Sequence, residues 1–500
     1  IATLEYIYKG EDQKALATYK QLLEVRNQLA EEYELPLEER MNFHELKSQQ
    51  DSLEKELARL SAHYRNSQKA ASVTAKEVKA SLRQGEAVIE FIHFKDPIAG
   101  SKESVQYGAL VLRPDQPYPV FINLFEESQL RSLIGEEYER RLDYVDQLYS
   151  FNDRGLVIEA DEKEDLFHLI WEPISKILNG VEKVYYVPTG LMHKINLGAI
   201  PTDEETTLAD RYALQALSSS RLLALRDRIS DKEIRDAAVF GGVFYDYDTL
   251  SIQTAIRGLD RPLEEVKEEL SSKGSRPVSR GGVWKYLKWT SKESQKVSQQ
   301  LTEASIFNQY YDGYLATEEA FKKLVQKGNS PDVIHLATHG FFYDEDQNAQ
   351  NDQTSSVFQK ADHSMLRSGL LLAGANNSWS GNEPEGHSED GILTAYEISQ
   401  MDLSKTTLVV LSACETGLGE IKGNEGVFGL QRAFKMAGVR YLIMSLWQVP
   451  DFQTQDLMTT FYSYWLEEKQ SIPDAFRNAQ LEMREKYQNP YFWAGFVLME

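Results

Sequence analysis

The sequence is poor in cysteine, in basic charge and in long apolar runs, and each shortage closes off a class of protein. A single cysteine in 500 residues leaves no disulfide framework within the chain and suits a reducing compartment, so a cytoplasmic location is expected. No apolar run reaches the ~18 residues of a membrane helix and no signal peptide opens the chain, so no membrane partner is expected. Lys and Arg number 54 against 77 Asp and Glu, a net charge of −23. That balance disfavours a general nucleic-acid surface. The segment Gly417-Leu-Gly-Glu-Ile-Lys-Gly423 is not G-x-G-x-x-G, and no Gly-Lys-Ser/Thr follows at P-loop spacing, so nucleotide binding is weakly supported and no cofactor is expected. His335 and His339 are spaced H-x-x-x-H, but zinc would need that spacing on a helix with further ligands nearby. The segment reads as a strand, and no metal is expected. The chain begins at Ile1 rather than Met and reads as a piece of a longer protein.

What is present is organised around two apolar runs that end in chemistry. Thr406-Thr-Leu-Val-Val-Leu-Ser-Ala-Cys414-Glu-Thr-Gly417 ends in the lone cysteine, and Asp332-Val-Ile-His-Leu-Ala-Thr-His339-Gly340 ends in a histidine followed by glycine. Both have the length and apolar content of inner strands of a parallel sheet. Reacting groups sit beyond the carboxyl ends of such strands, so Cys414 and His339 make a nucleophile and base candidate. A thiol with a pKa of about 8.5 is only a few per cent thiolate at neutral pH, and an adjacent imidazole would raise that fraction. The N–H groups of Gly340 and Cys414 are the candidate oxyanion donors, each worth ~2.7–4 kcal/mol in a transition state. A lone intracellular cysteine is more often a small buried hydrophobe. The downstream Gly417, Gly419, Gly423 and Gly426 ask for unusual backbone angles that a passive core cysteine would not need. His335, inside the strand, reads as a satisfied core histidine.

These residues resemble a known family. The blocks His335-Leu-Ala-Thr-His-Gly340, Leu411-Ser-Ala-Cys-Glu-Thr-Gly417, Gly438-Val-Arg-Tyr-Leu-Ile-Met-Ser-Leu-Trp-Gln-Val-Pro-Asp451 and Pro490-Tyr-Phe-Trp-Ala-Gly-Phe-Val-Leu498 are similar to the CHAT domain of the caspase, separase and gingipain group of cysteine peptidases. The likeness extends to Val184-Tyr-Tyr-Val-Pro-Thr-Gly-Leu-Met-His193, Ser368-Gly-Leu-Leu-Leu-Ala-Gly374 and Asp390-Gly-Ile-Leu-Thr-Ala-Tyr-Glu397, covering roughly residues 80 to 500. It implies an α/β fold, a caspase-like layered sheet flanked by helices, with Cys414 and His339 as a catalytic dyad. It also implies an upstream tetratricopeptide-repeat or sensor region.

In chain order, residues 1–83 read as helical, the end of a repeat array or a linker, with Leu16, Tyr19, Leu23 and Ala30 on one stripe. Leu46, Leu53, Leu57, Leu60 and Tyr64 form a second seam. Residues 84–288 read as the amino-terminal half of the CHAT region, similar to the pseudo-peptidase half that separases carry. His193 there is a weaker candidate third catalytic group. Residues 243 to 288 read as insertion and linker, and 289–500 as the active half. The polar stretches 343–364 and 376–389 read as long loops, candidate lids or simple disorder. Val427, Leu430, Phe434 and Ala437 share a helical face, Gly438 reads as the residue that ends that helix, and Ser471 reads as an N-cap.

The expected function is a cysteine endopeptidase that cuts a specific protein partner as the effector of a larger regulated bacterial protein. The alternative is a catalytically silent scaffold or interaction module. The family includes separase-like cutters of chromosome proteins, CRISPR-linked peptidases and activators of gasdermin-like pore formers, and these residues do not choose among them. In separases the segment matching Ser445 to Asp451 carries two acidic residues that help to bind an arginine before the cut bond. Here Gln448 stands at the first acid and Asp451 keeps the second. That implies a weakened guanidinium contact and makes a polar or medium apolar side chain as acceptable as arginine. The competing role for Asp451 is an N-cap for a helix starting near Gln453.

Overall fold

The computed structural model describes residues 13–34, 40–60, 73–95, 104–134, 145, 148–149, 165–225, 233–272, 284–326, 329–343, 364–382, 389–413, 420–421 and 427–500. Cys414 and the four downstream glycines lie outside them, as does nearly all of the stretch 343–364.

The strands are, in chain order, β1 (Glu86–Lys95), β2 (Val105–Leu112), β3 (Val120–Glu126), β4 (Lys183–Val187), β5 (Ala213–Ala216), β6 (Asp236–Val243), β7 (Phe307–Gly313) and β8 (Val333–Ala337). They continue as β9 (Gly340–Phe342), β10 (Ser368–Leu371), β11 (Ile392–Thr394), β12 (Leu408–Ser412), β13 (Glu420–Ile421), β14 (Val427–Phe428), β15 (Tyr441–Ser445) and β16 (Phe496–Met499). Eleven of them form one mostly parallel sheet in the order β3-β2-β1-β4-β5-β16-β15-β12-β8-β6-β7. Every residue of β8, β12 and β15 is buried. A strand covered on both faces cannot alternate polar and apolar, which is why these runs are mostly apolar. Each buried Val, Leu, Ile or Met there contributes about 1.5–3 kcal/mol.

One strand decides how the sheet is assembled. β16 runs antiparallel to β15, yet parallel to β5 where Met499 meets Ala216. The strands β1, β4 and β5 are mutually parallel, as are β15, β12, β8, β6 and β7. The two sets therefore run in opposite directions and open their carboxyl ends at opposite ends of the sheet. Glu500 seals the junction: its N–H donates to Ala216 O at 3.0 Å, and its carboxylate meets Gln215 Nε2 at 2.7 Å and Arg440 Nε at 3.3 Å.

Eight helices matter below: α1 (Gln13–Glu34), α2 (Phe43–Leu60), α3 (Lys288–Glu303), α4 (Glu318–Leu324), α5 (Ala395–Gln400), α6 (Leu430–Ala437), α7 (Asp451–Tyr462) and α8 (Ile472–Tyr487). α1 and α2 pair as a hairpin, with Val25, Leu29 and Leu46 buried between them and Leu53 beside them. α3 lies over β6 and β7, and α7 packs on α3. Ser471 accepts from the Asp474 N–H and starts α8, as its sequence indicates. Gly438 ends α6 at φ 106°, where a Cβ would lie 3.0 Å from the Ser404 Cα.

Four local readings are corrected. The stretch 243–288 is more than linker, since it contains the helices Thr249–Arg257 and Leu263–Ser272, which bury Ile252, Ala255, Val266 and Leu270. Their apolar stripes are narrow and set among charges, so periodicity alone was weak. The polar stretch after Asn376 begins inside a helix, Ala375–Trp379, because Asn376 is buried and its amide holds Asp246 Oδ1 at 2.8 Å and Trp284 O at 2.9 Å. Val427 belongs to β14 rather than to the helical face, paired with Ile421, and the helix starts at Leu430. Asp451 is the first residue of α7, whose cap position is Pro450 with no side-chain bond, so it is not an N-cap.

Candidate active site

β8 and β12 are adjacent and parallel, in register from Leu408 opposite Val333 to Ser412 opposite Ala337. The offset of that ladder equals the sequence separation of His339 and Cys414. Ala413, the residue before the cysteine, is buried, and its carbonyl accepts from Ser445 Oγ at 2.5 Å.

His339 follows β8 directly and is held from several sides. Its ring lies 4.9 Å from Tyr245 and 5.1 Å from Trp284, centroid to centroid. Nε2 is 2.8 Å from the Lys285 carbonyl. A carbonyl oxygen only accepts, so Nε2 carries the proton and Nδ1 keeps the lone pair of a base. Burial pushes the imidazole below its ordinary pKa, and the Lys285 carbonyl, which favours the protonated ring, offsets part of that. The result is a neutral base at neutral pH. The backbone is fixed by a directed chain: His339 N–H donates to Tyr245 Oη at 3.2 Å, Tyr245 donates to Thr338 Oγ1 at 2.9 Å, and Thr338 donates to the Leu371 carbonyl.

Gly340 opens β9, the edge strand of a small sheet ordered β11-β10-β9. The bonds from Leu371 N–H to His339 O and from Tyr343 N–H to Arg367 O alternate along the β9–β10 ladder. In an antiparallel pair the intervening even-numbered residue is the non-bonded one. The Gly340 N–H therefore faces away from β10, on the edge of β9 that no strand covers among the described residues.

Below this lies a cavity of about 20 Å³ lined by Thr338, Ala413, Trp447, Leu287, Glu293 and Asp451, among others. It has room for about one water. Asp451 brings a half-buried carboxylate there, raised above its ordinary pKa by desolvation and by repulsion from Glu293. Glu293 is buried and bonds His335 Nε2 at 3.0 Å, while Tyr462 Oη lies 3.3 Å from His335 Nδ1. Thus His335 is a satisfied core histidine. Among the described residues no ion pair involves Asp451. Gln448 is exposed and does not line the cavity.

The structure thus gathers His339, Gly340 and Asp451 around the end of β12 and leaves Gln448 outside. His193 lines a different cavity, at the carboxyl ends of β4 and β5. Tyr245, Lys285 and Glu293 were missed from sequence. Lys285 acts through a backbone carbonyl, which no residue type signals. Glu293 had a readable sign, a carboxylate on the buried stripe of α3 with Thr290, Val297 and Leu301. Among the described residues, the one set of carboxylates close enough to share a metal is Glu318, Glu389 and Glu397, and the Lys322 ammonium bonds all three at 2.7–2.8 Å. No helix there is long and apolar enough to cross a membrane.

A protein-family model described as the CHAT domain matches residues 161–500. Tetratricopeptide repeat protein 28 of Mus musculus is 32% identical over 111 residues, 22% of this chain and 4% of that protein, and its Homo sapiens counterpart is 30% identical over the same shares. The match thus spans only a small part of those relatives. Among solved structures, the Arg-specific cysteine proteinase gingipain R has a TM-score of 0.36 at 11% identity, covering 65% of this chain and 64% of that one. Saccharomyces cerevisiae separase in complex with securin has a TM-score of 0.43 at 10% identity, covering 89% of this chain and 31% of that one.

Proposed function

Because this chain belongs to the CHAT domain family, we propose that it is a cysteine endopeptidase acting on a protein partner through Cys414 and His339. The observation that carries the reading is the tautomer of His339. Its Nε2 proton is committed to the Lys285 carbonyl, and Nδ1 is left as the base beside the end of β12, the strand that leads into Cys414. Nδ1 takes the thiol proton, and the thiolate sulfur adds to the scissile carbonyl. The oxyanion is held by the Gly340 N–H, with the Cys414 N–H as second donor. The imidazolium then protonates the leaving amine, the acyl-enzyme forms, and a water activated by the same Nδ1 releases the acid.

The pocket supports a cationic side chain before the cut bond. Two carboxylates, Asp451 and Glu293, face one cavity, and Glu293 makes the charge on Asp451 costlier, a repulsion that an arginine or lysine would relieve. The cavity is too small for either as it stands, so entry requires its lining to move outward. The tetratricopeptide-repeat relatives support an upstream repeat region, and the single cysteine supports a cytoplasmic setting.

The deciding experiment compares cut sites in a lysate treated with the parent chain and with Cys414→Ala, together with iodoacetamide alkylation of Cys414 from pH 6 to 8 in the parent and in His339→Ala. Cleavage should vanish in Cys414→Ala, and alkylation should slow in His339→Ala. Identical alkylation profiles with no cleavage would make the domain a silent scaffold. Basic residues should dominate the position before the cut, and Asp451→Asn should erase that preference.

A further inference from the structure

A larger cavity, about 540 Å³, opens at the other end of the sheet, over the carboxyl ends of β4 and β5. That is where open parallel sheets take ligands, and the volume is that of small-molecule sites. Its apolar lining includes Phe91, Val187 and Leu217. Its basic lining gathers His93, His193, Arg432 and Lys435. In a chain of net charge −23 this is a concentrated basic group. Its one carboxylate among the described residues, Glu90, already accepts from Ser220 Oγ at 2.7 Å.

The polar groups are held in place. His93 Nδ1 lies 2.8 Å from Thr189 Oγ1, and Lys435 Nζ donates to the carbonyls of Val439 at 3.0 Å and Arg440 at 2.8 Å, two of its three N–H bonds. Gln431 Nε2 approaches His193 Nδ1 at 3.4 Å. An amide nitrogen only donates, so His193 accepts at Nδ1 and carries its proton on Nε2. Burial, helped by repulsion from His93, lowers His193 to about 4, and burial lowers Lys435 to about 8. An anion between them would reverse both effects. Gln431 supplies the independent sign of a missing ligand: it is 6% exposed, and its Oε1 has no hydrogen-bond partner among the described residues. A buried carbonyl oxygen without a donor costs about 1–3 kcal/mol, and a ligand hydroxyl would satisfy it.

We propose that this cavity binds a hydroxyl-bearing phosphate ester, its phosphate against His93, Arg432 and Lys435, a hydroxyl on Gln431 Oε1 and its body against the apolar lining. Two cations, Arg432 and Lys435, around one cavity match a dianion better than a single carboxylate. The inference is independent of the peptidase reading.

Calorimetry on the intact chain tests it with glucose 6-phosphate and adenosine 5′-monophosphate, against inorganic phosphate, glucose and adenosine. At least one ester should bind one to one, about tenfold or more tighter than inorganic phosphate or its own uncharged body. Arg432→Gln should weaken it about tenfold or more through charge. Ser218→Trp, an exposed position on the rim, should block it through volume. Asp451→Asn, at the other end of the sheet, should leave it unchanged. The proposal is overturned if neither ester binds at low millimolar concentration, if inorganic phosphate binds as tightly, or if both rim variants bind as the parent does.

Discussion

Lys322→Met should loosen the sheet that carries Gly340. The Lys322 ammonium lies 2.8 Å from Glu318, 2.8 Å from Glu389 and 2.7 Å from Glu397. Glu318 is 1% exposed, and its other oxygen accepts from the Gly391 N–H at 2.9 Å, while Glu397 closes a capping box on Thr394 at the start of α5. Lys322 therefore fastens α4 to β11, which pairs with β10, which pairs with β9. Removing one partner of a buried pair typically costs ~3–5 kcal/mol, because the remaining charges stay buried without compensation. With Glu389 partly exposed, the lower part of that range is expected.

The cost should depend on pH. Desolvation and neighbouring carboxylates raise Glu318 well above its ordinary value and Asp390 to about 6, while the same carboxylates hold the proton on Lys322. An acid whose folded pKa is raised binds its proton more tightly when folded, so the stability it contributes is present at low pH and lost as pH rises through the folded value. The parent should lose local stability between about pH 4 and pH 6, and Lys322→Met should lose more because no cation offsets the ionised acids. Hydrogen exchange of the Gly391, Ile392 and Thr394 amides reads this opening without assuming that all 500 residues unfold together. The expected difference is about 3 kcal/mol at pH 7.5 and less than half of that at pH 5. A difference under about 1 kcal/mol that ignores pH would mean solvent already screens the cluster, and would refute the reasoning.

Tyr245→Phe removes the hydroxyl that links His339 N–H to Thr338; it should lower kcat more than it changes KM and cost about 1–3 kcal/mol of stability, measured by peptide cleavage and urea midpoint. Since burial lowers His339, the acid limb of kcat/KM should have its midpoint below pH 6.5, and a midpoint above 7 would contradict a desolvated base. His339→Ala should slow turnover by roughly 10² or more, whereas a loss under about tenfold would make the residue structural. Gly438→Ala forces a side chain into a left-handed position against Ser404 and should lower the melting temperature with no change in the cleavage pattern.

What the sequence determined by itself was local and periodic. Apolar runs long enough to be buried on both faces marked β8 and β12, and the chemistry at their ends marked His339 and Gly340, because in a parallel sheet the end of an inner strand is a predictable place. Ser471 and Gly438 were legible because a cap and a left-handed terminus demand few residue types. Tertiary structure alone decided the rest. That β16 runs against β15 and reverses the second half of the sheet is a matter of pairing between distant segments, and no residue in Phe496–Met499 encodes it locally. The proton position on His339 is set by a carbonyl at Lys285 and its backbone by Tyr245, 54 and 94 residues away. Asp451 could be read from sequence either as a helix cap or as a pocket wall. Only the tertiary structure gave the cap position to Pro450 and, through α3, brought Glu293 to the cavity that Asp451 lines, because what faces a carboxylate is set in space rather than by what precedes it in the chain.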